Sequence, residues 1–159
     1  MKKITDDLIN GLSKKAKKSP RKRCNYNFHG DYHDPINRMI NVIERDAYFP
    51  PHKHEAPDKR EVFIILKGRV LAVEFDDTGQ IKDYIILDPE IGNFGVEIPS
   101  GKWHSLIPLA EESILYEIKD GPYDEETDKT FAEWAPLEAS KNAGGFAAKV
   151  LQSLNIPST

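Results

Sequence analysis

Two short stretches of this chain carry side chains that could do chemistry together. Pro51-His52-Lys53-His54-Glu55 introduces the apolar run from Glu61 to Gly68, and Pro99-Ser100-Gly101-Lys102-Trp103-His104 follows much later. In an extended strand the side chains at i and i+2 share a face, so His52 and His54 look the same way. Glu61 opens the next strand and His104 lies on another, and neighbouring strands of a curved sheet would bring all four together. Imidazole and carboxylate are the donors that a first-row divalent metal accepts. The expectation is a metal centre of His52, His54, Glu61 and His104, with Glu55 as the rival carboxylate.

These residues also carry a resemblance. His52-x-His54, then Glu61 followed by six residues and Gly68, is similar to the first cupin motif, and Pro99-x-Gly101-x-x-His104 is similar to the second. The chain departs from that pattern in the interval between His54 and Glu61, which is longer than usual, and at Pro108, where many cupins have Asn. More narrowly, the chain resembles the WbuC family of cupin-fold metalloproteins. The matching pieces include Arg23-Cys24-Asn25 with His29, Tyr48-Phe49-Pro50-Pro51-His52-Lys53-His54, Gly101-Lys102-Trp103-His104, Glu117-Ile118-Lys119-Asp120-Gly121-Pro122-Tyr123 and Phe131-Ala132-Glu133-Trp134-Ala135-Pro136, within residues 20 to 138. The resemblance implies an all-β cupin-type double-stranded β-helix, a jelly-roll barrel, with one divalent transition metal (Fe, Mn, Ni, Co or Zn). It also implies a surface-polysaccharide setting, and no particular reaction.

Elements able to position such a site are visible along the chain. Thr5 or Asp6 would cap a helix carrying Ile4, Leu8, Ile9 and Leu12 at helical spacing, ended by Pro20, so residues 1–19 read as a helix and a basic segment. A barrel over 20–138 is predicted from short strands with turn signals between them. These are an extended segment from Lys22 to Phe28, a strand within 36–48, then Val62 to Leu66, Val70 to Phe75, Tyr84 to Leu87, Val96 to Pro99, Trp103 to Ile107 and Ser113 to Ile118. Pro50 and Pro51 remove two backbone donors and suit an edge or bulge, residues 55 to 60 read as a charged loop, and Asp76-Asp77-Thr78-Gly79 as a hairpin turn. Phe131, Trp134 and Pro136 are expected to lie over the side of the barrel. Residues 139–159 read as a helix from 146 to 154 plus tail, approached by a flexible Gly144-Gly145.

Strand alternation sets Phe63 and Ile65 beside Glu61, so the metal is expected at the wet end of an apolar pocket. His104 shares its face with Leu106, and Trp103 should point away. Arg23 and Asn25, at i and i+2, would aim together at an anionic or polyhydroxyl ligand, or would pin the first strand to the barrel. His29 or Tyr48 would lend a proton-transfer group, Lys119 could reach the barrel mouth, and Cys24 reads as a packed thiol.

At 159 residues with 39% apolar composition, the chain is sized for one domain with its own core. No apolar run approaches the roughly 20 residues of a membrane span, and the N-terminus lacks the apolar core of a secretory signal. A single cysteine fits a reducing, cytoplasmic compartment. The net charge of −4 argues against a general nucleic-acid binder. The basic run from Lys14 to Arg23 reads as a solvated helix end. The function expected is a metalloenzyme acting on a small polar or anionic molecule such as a sugar or sugar nucleotide, isomerase/epimerase-like or dioxygenase-like. The alternative is a metal-dependent module that binds or senses a small molecule without turnover. A homodimer through an exposed sheet edge is the expected assembly.

Overall fold

Strands with one apolar face must bury it against a second layer, and here the two layers are both sheets. The computed structural model describes residues 1–157; positions 158 and 159 of the expected C-terminal tail lie outside the described residues. The strands are β1 (Arg23–Asn27), β2 (Ile36–Glu44), β3 (His52–Lys53), β4 (Glu61–Lys67), β5 (Val70–Phe75), β6 (Ile81–Leu87), β7 (Gly95–Ile98), β8 (Trp103–Pro108), β9 (Glu112–Asp120) and β10 (Thr130–Phe131). They form two five-stranded antiparallel sheets, ordered β1-β2-β9-β4-β7 and β10-β3-β8-β5-β6. This is the expected jelly-roll sandwich. Its core lies between the sheets, where Ile43, Phe63, Ile65, Ala72, Leu106 and Leu115 are buried together.

Each sheet's outer face is covered by a helix, which lets the inner faces turn polar at one end without exposing the sheets. Helix α1 (Asp6–Lys18) is capped by Thr5, whose hydroxyl accepts the Leu8 N–H at 3.4 Å. Leu12 and Ala16 of α1 pack on Ile40 and Val42 of β2, with Cys24 at the margin. Lys15, Lys17 and Lys18 sit in its last turn, where cations favour the negative end of the helix dipole. Helix α2 (Ala143–Ser153) lays Val150 and Leu151 on Leu71, Val73, Phe75 and Ile107 of the other sheet, with Trp134 and Phe146. Among the described residues no helix is long and apolar enough to cross a membrane.

Two expectations change. Gly144 and Gly145 are not an approach to the last helix but lie in its first turn, because packing of the apolar stripe on the sheet overrides the weak propensity of glycine. Phe131 does not cover the barrel side with Trp134; it pairs with His52 as part of β10, at the rim of the interior. The turn after β4 does require glycine, since Gly68 adopts φ +80 and an added Cβ would fall 2.4 Å from the Glu112 carbonyl oxygen.

If α1 is an integral cover, Leu12→Ala should lower the unfolding free energy by about 2–5 kcal/mol. The exposed Lys14→Ala on the same helix should change it by less than about 0.5 kcal/mol. Urea unfolding of the two variants against the parent checks this.

Candidate metal centre

The site forms where three strand ends meet. His52 of β3 stands directly opposite His104 of β8, and antiparallel partners point to the same face. Glu61 begins β4 on the facing sheet, and His54 follows β3. The His54 carbonyl accepts the Gly101 N–H at 2.8 Å, which joins the two histidine-bearing segments, and Gly101 takes φ +73 to make that turn. One donor atom from each of His52, His54, Glu61 and His104 lies within 4.8 Å of the others, and all four residues are buried. Glu61 is the carboxylate of the cluster. Glu55 is exposed and pairs with Lys53 at 2.6 Å.

The imidazoles are oriented by the main chain. His52 Nδ1 donates to the Pro50 carbonyl and His104 Nδ1 to the Lys102 carbonyl, each at 2.9 Å, and His54 Nδ1 donates to the Asp128 carbonyl. In a ring that carries its hydrogen on Nδ1 alone, the Nε2 lone pair faces inward. His54 Nε2 lies 3.1 Å from Glu61 Oε1, and His104 Nε2 lies 2.9 Å from Glu61 Oε2. His52 Nε2 has no hydrogen-bond partner among the described residues. Burial, with Lys129 and His104 beside it, holds the His52 imidazole well below its ordinary value, so the ring is neutral. Burial pushes the Glu61 carboxyl up, but hydrogen bonding and positive charge from His104 and His54, both of which need a proton on Nε2, outweigh it and hold it well below its ordinary value. Three inward imidazole nitrogens and a carboxylate, with Nε2 of both His52 and His54 buried without a hydrogen-bond partner among the described residues, are a donor set that suits a divalent transition metal.

A buried ion network stands behind His54. The Asp128 carboxylate accepts from Lys59 Nζ at 2.8 Å and Lys119 Nζ at 2.7 Å, and Lys119 lies 3.9 Å from Glu61 Oε1. Lys59 also donates to the Pro122 carbonyl at 2.6 Å. The charged segment 55–60 is therefore not wholly a solvated loop, since Lys59 is 2% exposed. Burial disfavours the Lys119 ammonium, yet Glu61, Glu117 and Asp128 together raise it above its ordinary value.

A cavity of about 590 Å³ opens beside His52. The expected apolar pocket is corrected here: Phe63 and Ile65 lie in the closed core, and the open wall carries polar side chains. Register shows why. Pairing of β1, β2, β9 and β4 sets Asn37, Lys119 and Glu61 in one row, Asn27, Met39, Glu117 and Phe63 in the next, and Asn25, Asn41, Leu115 and Ile65 in the third.

Arg23, Asn25, His29 and Lys119 line this cavity, but several are occupied. Arg23 donates to the Tyr48 carbonyl, pairs with Glu138 at 2.7 Å and lies over the Phe49 ring at 4.1 Å. Asn25 Nδ2 donates to Asn27 Oδ1 at 2.7 Å. His29 Nδ1 accepts the Arg38 N–H at 3.1 Å. Tyr48 is not part of the cavity wall; its hydroxyl donates to the Pro136 carbonyl at 2.9 Å, and burial pushes it up to about 12. Trp103 points away, its Nε1 donating to Asp77 at 2.9 Å.

Glu117, Asn37 and Asp128 were not singled out from sequence. Glu117 faces the cavity and accepts from Asn41 Nδ2 at 2.7 Å, and burial together with Glu61 raises its carboxyl above the ordinary value. The signal for it was strand alternation, which puts Glu117 on the face of Lys119 and Leu115. No comparable signal marks Asp128, whose role depends on partners far away in sequence.

Asp128→Asn leaves two buried lysines short of their counter-charge and is expected to cost about 3–5 kcal/mol. Lys67→Ala, which breaks the exposed pair with Glu112, should cost at most about 1 kcal/mol. Denaturant unfolding distinguishes the two.

Comparison with solved structures agrees with this fold. CapF from Staphylococcus aureus, a capsular polysaccharide assembling protein, aligns over 72% of this chain and 33% of its own at 19% identity and TM-score 0.57. The DMSP lyase DddQ from Ruegeria pomeroyi aligns over 82% and 57% at 19% identity and TM-score 0.53, and an oxalate oxidase over 88% and 69% at 14% identity and TM-score 0.55. All are cupin-fold proteins, and this chain spans about a third of CapF. No curated protein matches the sequence. A family profile described as "Domain of unknown function (DUF6016)" matches residues 4–87, more than half of the chain, and the protein therefore belongs to that family, here with a cupin fold.

Proposed function

We propose that this protein is a metal-dependent enzyme that moves a proton on a small polar, sugar-like molecule, in the manner of an isomerase or epimerase. One observation carries the reading: Glu117, oriented by Asn41, faces the same cavity as His52 of the ligand cluster. His52, His54, Glu61 and His104 would hold the metal. A divalent ion bound there would supply Lewis-acid polarisation of a substrate carbonyl or hydroxyl.

The chain's own residues would do the rest. Glu117 sits beside Met39 and Phe63 in the sheet, and this burial favours its neutral form. A carboxyl whose affinity for a proton is raised is better suited to taking and returning one than an unperturbed carboxylate. Lys119, held cationic by Asp128 and Glu61, would stabilise negative charge that develops on a substrate oxygen nearby. The resemblance to the WbuC family and the capsular-polysaccharide description of CapF both support a sugar-like substrate. A second reading, binding without turnover, draws on the commitments of Tyr48 and His29, which leave Glu117 to act without either of them.

The test is solvent exchange: metal-loaded protein in D2O with a panel of reducing hexoses and hexosamines, followed by NMR. The expected result is deuterium at a carbon next to a carbonyl, reduced about 10²–10⁴-fold by Glu117→Gln with metal content unchanged. Exchange that survives Glu117→Gln would contradict the assignment, binding without exchange would favour the second reading, and oxygen consumption would favour dioxygenation.

A further inference from the structure

Two buried side chains beside the His/Glu cluster have hydrogen-bonding capacity that the fold does not use. Lys119 Nζ makes one hydrogen bond among the described residues, to Asp128 Oδ2 at 2.7 Å, and its 3.9 Å approach to Glu61 is too long for another. Its side chain is 4% exposed, and an ammonium has further hydrogens to give. Asn37 stands directly opposite Lys119 across β2 and β9 and is 1% exposed. Neither its Nδ2 nor its Oδ1 has a hydrogen-bond partner among the described residues. Both residues line the cavity, in the row that ends at Glu61. Buried polar groups left unpaired destabilise a fold, which is explicable if a ligand completes these.

Charge decides what kind of ligand. Four cationic side chains and four carboxylates line the cavity, and Lys59 and Glu61 behind them also balance in number. A divalent ion on the four ligands would add positive charge for which the wall holds no counter-charge. Asp128 is already shared between Lys59 and Lys119, and Glu138 between Arg21 and Arg23. Lys129, exposed at the rim, makes no ion pair among the described residues. An interior with surplus positive charge favours a ligand that brings negative charge.

The spare groups narrow the choice further. Lys119 Nζ and Asn37 Nδ2 both donate, as the two oxygens of a carboxylate require. Asn37 Oδ1 accepts, which calls for a hydroxyl close to that carboxylate. A phosphate monoester, with three oxygens and nearly two charges, asks for more than these two donors. Resting on the proposed sugar-like substrate, we infer that Asn37 and Lys119 bind the carboxylate of a hydroxy acid, so that the ligand of this cavity is a sugar acid, a uronate or an aldonate, with one hydroxyl on Asn37.

The test is calorimetric titration of Mn(II)-loaded protein, with metal content measured on the same samples. Glucuronate, galacturonate and gluconate are compared with glucose, galactose and glucose 1-phosphate. At least one sugar acid is expected to bind about tenfold or more tighter than its neutral hexose. Asn37→Leu should weaken that binding about tenfold, keep its Mn(II) and melt no lower than the parent, since the lost amide has no partner in the fold. Asn37→Asp, which sets a carboxylate beside Lys119, should remove acid binding. A hexose bound as tightly as its acid, glucose 1-phosphate bound about tenfold tighter than every acid, or no acid bound at millimolar concentration would each overturn the inference. So would an Asn37→Leu protein that melts lower or binds acid unchanged. A parent that takes up no Mn(II) would strike the metal-centre reading and this inference with it. Acid that binds yet exchanges no carbon-bound proton in D2O would support the inference and strike only the catalytic reading.

Discussion

The structure turns on three hydrogen bonds from imidazole to main chain. By donating Nδ1 hydrogens to the carbonyls of Pro50, Lys102 and Asp128, the histidines direct their Nε2 atoms at one point, where Glu61 also arrives. In neutral rings this sets acceptor against acceptor, and a cation between them resolves the conflict. The two carbonyls at Pro50 and Lys102 lie two residues before the histidines they hold, so local backbone shape fixes those rings. His54 is different, because its carbonyl partner comes from a segment 74 residues away. The Lys59–Asp128–Lys119 network secures that segment.

Placing so many polar groups inside a small sandwich requires compensation elsewhere. The two helices supply it by covering the outer faces of the sheets, so that apolar burial is gained on both sides of each layer. The interior between the sheets is apolar at the Leu106 and Leu115 end and polar at the Glu61 and His104 end. The division follows register. Along β9 the inward positions run Leu115, Glu117, Lys119, from core to cavity to the His/Glu cluster. The catalytic proposal and the fold therefore share one strand.

Much of this was legible in the sequence because it depends on local period. Alternation aligned His52 with His54 and Glu61 with Phe63, and turned Trp103 away from His104. The choice of Glu61 over Glu55 needed the tertiary position of β4, which pairs with β9 and β7 at the mouth of the interior. Lys59 was hidden because a charged segment reads as solvated, and its partner Asp128 is 69 residues further on. Gly144 and Gly145 misled because their intrinsic cost is small beside the burial of Val150 and Leu151. Arg23 showed the limit of composition: an arginine facing a cavity invites an anion, yet Glu138 and the Tyr48 carbonyl already occupy it.

The most direct test of the account is a Co(II) titration of chelator-treated protein, read by visible absorption, beside the His52→Ala/His104→Ala double variant. The account predicts one equivalent bound by the parent with the d–d bands of nitrogen and oxygen ligation, and none by a double variant that remains folded by circular dichroism. Equal binding by the two proteins, or no binding by a well-folded parent, would contradict it.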